Sequence, residues 1–239
     1  MALDEALMIR ARRTGQTVLR VYGWATPTLS LGRHQRARGI YRDDLLADRR
    51  IQVIRRPTGG RALLHHREVT YSVTAPCPAD DSLRDSYREI NALLVRALST
   101  LGISVCAANP AVRSAGPTSS PCFAEPARDE LTHDGRKLIG SAQWRDRDAL
   151  LQHGSILIDD DQSLIPELMH DPIAAPPPAT LRDALGRAPV MGEVARALFD
   201  SVRDFVDPAA RPLELEEDLC RDAERIADRY RDDAWTWRR

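Results

Sequence analysis

The spacing of apolar residues changes period along the chain and divides it into strands and helices. Residues 3–13 set Leu3, Leu7 and Met8, with Ala6 and Ala11, on one side of a helix. Two strand-like runs follow, VLRVYGW (18–24) and TLSLG (28–32), separated by a turn at Pro27. The pattern then predicts a short helix over 40–49 and a β-branched strand over 51–56. Beyond the PTGG break at 57–60 it predicts strands over 61–66 and 68–75. The clearest helix covers 81–101. There Leu83, Tyr87, Ile90, Leu94, Leu98 and Leu101 recur at helical spacing between an Asp81–Ser82 cap and Gly102. ISVCAA (103–108) reads as a buried strand and 109–121, rich in Pro, Gly, Ser and Thr, as a mobile loop. Residues 129–145 read as a hairpin turning at Asp134–Gly135, a dipeptide that tight primed turns favour, and 150–159 as a further strand. The remainder reads as helix over about 162–169, 191–206 and 215–231, with the proline-rich IAAPPPA (173–179) as a connector. The expected fold class is therefore α+β, a mixed, largely antiparallel sheet flanked by helices. It is expected as a single domain over 1–239 whose helical portion begins near 162.

Bulk properties narrow the function mainly by exclusion. A chain of 239 residues with 43% hydrophobic and 29% charged residues is an ordinary globular composition. The formal net charge of -1 gives no reason to invoke nucleic acid or a membrane as partner. No apolar run approaches the roughly 20 residues that span a bilayer, and MALDEALMIR is acidic and amphipathic rather than a secretory signal. The expected location is cytoplasmic. Cys77, Cys106, Cys122 and Cys220 contain no CxxC pair and are expected as free thiols. The six histidines show no metal-ligand spacing, and the adjacent His65 and His66 would point to opposite faces of a strand. One count stands out: of 34 basic residues a single one, Lys137, is lysine. Arginine is always charged and forked, whereas lysine is a compact cation with a movable pKa. A lone lysine in an arginine-rich chain is thus a candidate for chemistry.

Four segments carry candidate chemistry. In RRPTGGRALLHH (55–66), Gly59 and Gly60 allow close backbone approach to a ligand, and Arg55, Arg56 and Arg61 could hold a phosphate or phosphopantetheine group. Taken alone, a Gly-Gly turn with exposed arginines reads equally as a plain β-turn. In GRKLIGSAQ (135–143), Lys137 precedes the small residues Gly140, Ser141 and Ala142, which leave room for a ligand along the strand. Cys122, at the end of a polar loop, is a poor core residue, and a nearby cation such as Lys137 would favour its thiolate. By contrast Cys106 reads as inert core, Cys77 as a turn residue between prolines, and Cys220 as packed or exposed on a charged helix. His153, before Gly154 in LLQHGSI, is either a proton shuttle or structural, and the structural role is the expectation.

Together these segments resemble the biotin/lipoate protein ligase and octanoyltransferase superfamily, from MALDEAL through LRVYGWATPTLSLGRHQ, RRPTGGRALLHHREVTYSV and GRKLIGSAQ to LQHGSILID, with YRDDAWTWRR resembling the family's ending. The order and spacing carry the resemblance more than any one motif. It implies a mixed sheet with the active site beside the RRPTGG turn, and Lys137 as the lysine that contacts the acyl carbonyl. It also implies a pocket lined by Arg56, Gly59, Gly60, Arg61, Ser72, Gly140, Ser141 and Ala142. Family members usually have a strand before the segment matching MALDEAL. This chain begins at that segment, which bears on the sheet edge and not on the site.

Within the superfamily, one octanoyltransferase type places its cysteine just before the histidine–glycine pair, where this chain has Leu150, Leu151 and Gln152. A ligase-like type places it in the loop before the lysine hairpin, where Cys122 stands. The resemblance therefore implies a cysteine-dependent octanoyltransferase. Its donor would be octanoyl acyl carrier protein, and its acceptor a lysine of an apo lipoyl domain or of glycine-cleavage H protein. Such chemistry needs no cofactor. The alternatives are an ATP-dependent lipoate or octanoate ligase, an amidotransferase between lipoylated proteins, and, from another class, a non-catalytic acyl-binding protein.

Overall fold

The computed structural model describes residues 1–109, 121–123 and 126–239. The loop expected at 109–121 falls, apart from its ends, outside them. Among the described residues nine strands form two sheets. β1 (Val18–Tyr22), β5 (Glu68–Pro76), β9 (Ala149–Leu157), β8 (Arg136–Asp146), β7 (Leu131–His133) and β6 (Cys106–Ala107) lie side by side in that order, every pair antiparallel. A smaller sheet orders β3 (Gln52–Arg55), β2 (Thr28–Leu31) and β4 (Leu63–His65), with β2 parallel to β3 and antiparallel to β4. The fold is thus α+β with a mixed, largely antiparallel set of strands, as the pattern predicts.

Strand alternation gives the large sheet two different faces. Val69, Tyr71, Val73, Ile139 and Ile156 point to one face. There they pack against Leu94, Ala97 and Leu98 of α3 (Leu83–Thr100) and Val194 and Leu198 of α5 (Met191–Phe205). Burying these large aliphatic and aromatic groups contributes roughly 1.5–3 kcal/mol per side chain. The Ser82 hydroxyl caps α3 by accepting from the Asp85 N–H at 3.2 Å. The other face carries Thr70, Ser72, His153 and Ser155 and is covered in two places. α1 (Ala2–Thr14) lays Met8 and Ala11 on Ala149 and Leu151, and the small sheet sets Leu63 on Leu157. Between the two covers the polar part of this face is left as a cleft. Outside α1 lies α6 (Glu217–Arg231), whose Leu219, Ala223 and Ile226 meet Ala6 and Leu7. Glu5 receives hydrogen bonds from Arg229 and Tyr230 of that helix. Among the described residues no helix is long and apolar enough to cross a membrane.

Several expected elements change. ISVCAA is a two-residue edge strand rather than a buried one. Ile103 and Val105 point inward while Ser104 and Cys106 point outward, so Cys106 is exposed and not core. Cys77 is fully buried, its N–H held by the Asp148 carbonyl. The helix expected over 40–49 shortens to α2 (Asp43–Asp48). The helix expected over 162–169 is two 3-10 turns, because Pro166 cannot donate to the preceding turn and instead opens the second. Two short helices were not anticipated, α4 (Leu181–Leu185) and α7 (Asp233–Thr236).

Candidate active site

The PTGG turn and the LGR segment after β2 meet backbone to backbone. A Cβ on Gly32 would lie 1.9 Å from the Gly60 carbonyl oxygen, so only glycine fits there. Gly60 itself has φ +93°, and its side-chain space is taken by the Arg56 guanidinium. Arg56 is buried. It donates to the Ser30 carbonyl at 2.8 Å and hydroxyl at 2.9 Å, to the Gly59 carbonyl at 2.8 Å, and to the Arg61 carbonyl at 2.8 Å. Arg55 donates to the carbonyls of Gly32, Gln35 and Thr236 at 2.6, 2.8 and 2.8 Å. Burial lowers the pKa of both, that of Arg55 to about 10 with help from neighbouring arginines. The phosphate role expected for this pair is therefore replaced. Arg56 lines the cavity wall while its donors knit the turn to β2, and the donors of Arg55 tie in the following loop and residue 236. Arg61 is buried at the pocket wall.

Cys122 is half-buried, and its N–H donates to the Ala62 carbonyl at 3.0 Å. The next residue, Phe123, anchors the segment by packing with Leu63 and Leu157. Gly140 makes room for both. A Cβ there would meet the Phe123 ring at 3.0 Å and Cys122 Sγ at 3.4 Å.

Lys137 reaches this point because of an irregularity in the hairpin. Leu131 pairs with Ile139 but Thr132 pairs with Lys137, a register shift that leaves one extra residue in β8. Leu138 and Ile139 consequently both enter the helix-covered core, and Lys137 turns to the cleft face. Its ammonium has three donors. They meet Glu130 Oε1 at 2.7 Å, the Cys122 carbonyl at 2.8 Å and Cys122 Sγ at 3.5 Å. The Phe123 ring centroid lies 5.1 Å from Nζ. Glu130 is fixed in turn, its other oxygen accepting from the Ala127 N–H at 2.7 Å. The side chains of Lys137 and Glu130 are 1% and 12% exposed.

A cavity of about 220 Å³ opens from this cluster. Gly140 on β8 pairs with Ser155 on β9, Ser155 with Thr70 on β5, and Thr70 with Tyr22 on β1. Gly140, Thr70 and Tyr22 all line the cavity, which therefore runs across the strands. Three inter-strand steps amount to about 14 Å. Its far end is closed by a hydrogen-bonded group. Trp24 Nε1–H donates to Thr70 Oγ1 at 2.8 Å, Thr70 donates to Glu68, and His65 Nδ1 lies 3.0 Å from Glu68 Oε1 with its ring stacked on Trp24.

The remaining anticipated residues fall in different places. Ala142 lines the cavity. Ser141 does so too, but its hydroxyl bonds the Tyr71 hydroxyl at 2.7 Å on the other side of the sheet. Gly59 and Ser72 are not at the cavity wall. The Ser72 hydroxyl donates to Asp4 Oδ1 at 2.7 Å, and Arg20 donates to the same oxygen at 2.6 Å. Burial pushes the Asp4 carboxyl up, yet the Met1 ammonium, Arg20, His153 and Ser72 together hold it well below the usual range. His153 lines the cavity with its Nε2 2.7 Å from Thr58 Oγ1. Burial lowers its pKa to about 3, so it is neutral at pH 7. Glu130 and the Trp24–His65 group escape sequence reasoning. The one legible sign of Glu130 was an acid seven residues before the lysine, across a tight hairpin.

Comparison with known proteins agrees with this arrangement. The sequence profile of the lipoyl protein ligase A/B catalytic domain matches residues 1–203. Octanoyltransferase LipM of Kyrpidia tusciae is 39% identical over 258 residues, covering 100% of this chain and 94% of the relative. Octanoyltransferase LipM of Bacillus subtilis is 30% identical over 261 residues, with 100% and 93% coverage. Among solved structures, a putative lipoate protein ligase from T. acidophilum with bound lipoic acid superposes with a TM-score of 0.82. At 20% identity, over 99% of this chain and 92% of the other, it bears on the fold alone. The chain belongs to the lipoyl protein ligase A/B catalytic domain family.

Proposed function

We propose that the chain is an octanoyltransferase of lipoate biosynthesis, taking an octanoyl group from acyl carrier protein. The group passes through a thioester on Cys122 to a lysine of an apo lipoyl domain or of glycine-cleavage H protein. The observation that carries this reading is the 3.5 Å approach of Lys137 Nζ to Cys122 Sγ at the mouth of the transverse cavity. The full-length relatives named octanoyltransferases support the same activity.

The chemistry follows from the donors of Lys137. Its charge stabilises the Cys122 thiolate, which attacks the carbonyl carbon of the donor thioester. The long, weak donor now aimed at Sγ turns to the developing oxyanion, while Glu130 and the Cys122 carbonyl keep the ammonium in place. The bond from carbon to the carrier sulfur breaks, the carrier thiolate takes a proton, and octanoyl remains on Cys122. The acceptor amine then attacks this thioester, loses a proton, and the released Cys122 sulfur completes the cycle. An eight-carbon chain advancing about 1.25 Å per bond, from C–C bonds of ~1.5 Å, measures about 10 Å. It fits within the transverse cavity with its tip toward Thr70 and Tyr22.

The helical C-terminal portion packs through α6 on the same α1 that covers the cleft. That supports reading 1–239 as one catalytic unit. Free thiols and soluble protein substrates suit a cytoplasmic setting.

Intact-mass analysis tests the proposal. With octanoyl acyl carrier protein and apo lipoyl domain, without ATP, octanoyl mass is expected first on the enzyme and then on the acceptor. Both signals are expected to vanish in Cys122→Ser. Transfer solely from octanoate plus ATP would identify a ligase instead.

A further inference from the structure

Outside the cavity, arginine side chains accumulate at one place where, among the described residues, no acidic side chain pairs with them. The loop after β2 folds against the last residues of the chain. The N–H groups of Ala37 and Arg38 donate to the Arg239 carbonyl at 3.0 and 3.2 Å, and the Arg238 guanidinium donates to the Arg33 carbonyl at 2.5 Å. This gathers Arg33, His34, Arg36, Arg238 and Arg239 on one surface, with His34, Arg36 and Arg239 exposed. Elsewhere arginines pair with acids, as Arg42 does with Asp44, Arg49 with Glu167 and Arg67 with Asp161. Among the described residues none of these four arginines has such a partner. Asp43 and Asp233 line a separate hollow together with Ala37, Arg38 and Trp237. The His34 pKa is lowered, first by partial desolvation and then by Arg239, Arg33, Arg238 and Arg55.

The surface adjoins the active-site cavity. Arg33 N–H donates to the Thr58 carbonyl at 2.8 Å, inside the PTGG turn whose Gly60 lines the cavity wall. The Arg33 guanidinium sits 5.3 Å from the Trp144 ring centroid, and Trp144 follows Ala142, another cavity residue, on the same face of β8. Arg55 and Arg56, the arginines nearest the turn in sequence, are buried and direct most of their donors to backbone carbonyls, with Arg55 Nη2 enclosed and unpaired among the described residues. An anion arriving at this side of the mouth therefore meets the exposed set.

We propose that Arg33, Arg36, Arg238 and Arg239 form the docking surface for the thioester donor, an acidic carrier protein presenting its acyl chain on a phosphodiester-linked arm. The proposal rests on the octanoyl-transfer reading. A phosphodiester keeps its negative charge at any working pH, and guanidinium forks bind such oxygens well. The acceptor brings an amine and no phosphate, so the donor is the partner whose chemistry matches. Charge at the rim of an interface acts mainly on encounter and on its salt dependence.

The test uses the full chain carrying Arg36→Glu and Arg239→Glu. Initial rates are compared for octanoyl carrier protein and for octanoyl-N-acetylcysteamine, which has neither protein nor phosphate. The ratio of kcat/KM for the carrier to that for the small thioester is expected to fall about tenfold, through KM for the carrier and with a shallower salt dependence. An unchanged ratio overturns the proposal, as does a rise confined to the KM of the lipoyl domain. Calorimetric affinity for octanoyl carrier protein is measured in parallel on the Cys122→Ser background, where no turnover intervenes. Weaker binding by the charge-reversed protein supports the surface, and equal binding overturns it. Absence of turnover by the unaltered enzyme with either donor would instead count against octanoyl transfer, and the affinity comparison would still decide the docking surface.

Discussion

Replacing Glu130 by alanine tests the central contact. The Lys137 ammonium is 1% exposed and would keep the Cys122 carbonyl at 2.8 Å and Sγ at 3.5 Å, but lose the Glu130 carboxylate at 2.7 Å. Removing one partner of a buried ion pair costs about 3–5 kcal/mol. Glu130 retains 12% exposure, so water can reach the vacated side and the lower end applies, about 3 kcal/mol. For a chain of this length that corresponds to a fall in Tm of roughly 6–12 °C. Urea unfolding of Glu130→Gln, Lys137→Met and the Lys137→Met/Glu130→Gln double variant forms a cycle. The double variant removes the charge together with its counter-charge and leaves an acceptor for the Ala127 N–H. It is expected to recover most of the lost stability while remaining inactive. A Glu130→Ala protein within about 0.5 kcal/mol of the unaltered one, the scatter of ordinary surface substitutions, would refute the claim that this carboxylate holds the lysine.

Three further outcomes follow from the geometry. Lys137→Arg keeps the charge but cannot place a planar fork among Glu130, the Cys122 carbonyl and Sγ, so stopped-flow acyl-enzyme formation should drop by at least about tenfold; a near-normal rate would reduce Lys137 to a structural residue. Gly32→Ala drives a methyl to 1.9 Å from the Gly60 carbonyl and should cost about 3 kcal/mol by thermal denaturation, with the turn displaced and KM for octanoyl donors raised. His153 titrates near 3 folded against 6.5 for the free group, so the unfolded state takes the proton first and stability declines as pH falls from about 6.5 towards 3. Substituting His153→Asn should flatten that decline, and an identical slope would show that another group causes it.

Legibility from sequence followed the physical scale of each signal. Helix α3 was readable because burial of one face imposes period 3.6 over its length, strand β5 because apolar and polar residues alternate along it, and β9 as a largely apolar run of strand length. The run around Cys106 failed because an edge strand with one face on the core, when its outward residues are small or weakly polar, looks like a buried one. Cys122 and Lys137 were each identifiable by composition. Their contact was not, since it depends on a one-residue register shift that no spacing rule reveals. The anchoring contacts of Arg55 and Arg56 were illegible for a related reason: sequence gives the donors but not the carbonyls awaiting them, which belong to β2, the following loop and residue 236, although Arg56 lines the cavity as the resemblance implied.

The buried position of the single lysine also bears on self-modification. On the proposed mechanism the enzyme carries an activated acyl group destined for a lysine amine, and it presents no lysine side chain of its own to solvent. Acylation of one copy by another, which would consume donor and accumulate as damage, is thereby confined to the α-amine of the chain. The same feature makes amine-directed reagents selective. Beyond that terminus they can report only on Lys137, so labelling with and without bound thioester becomes a direct gauge of how far the pocket opens.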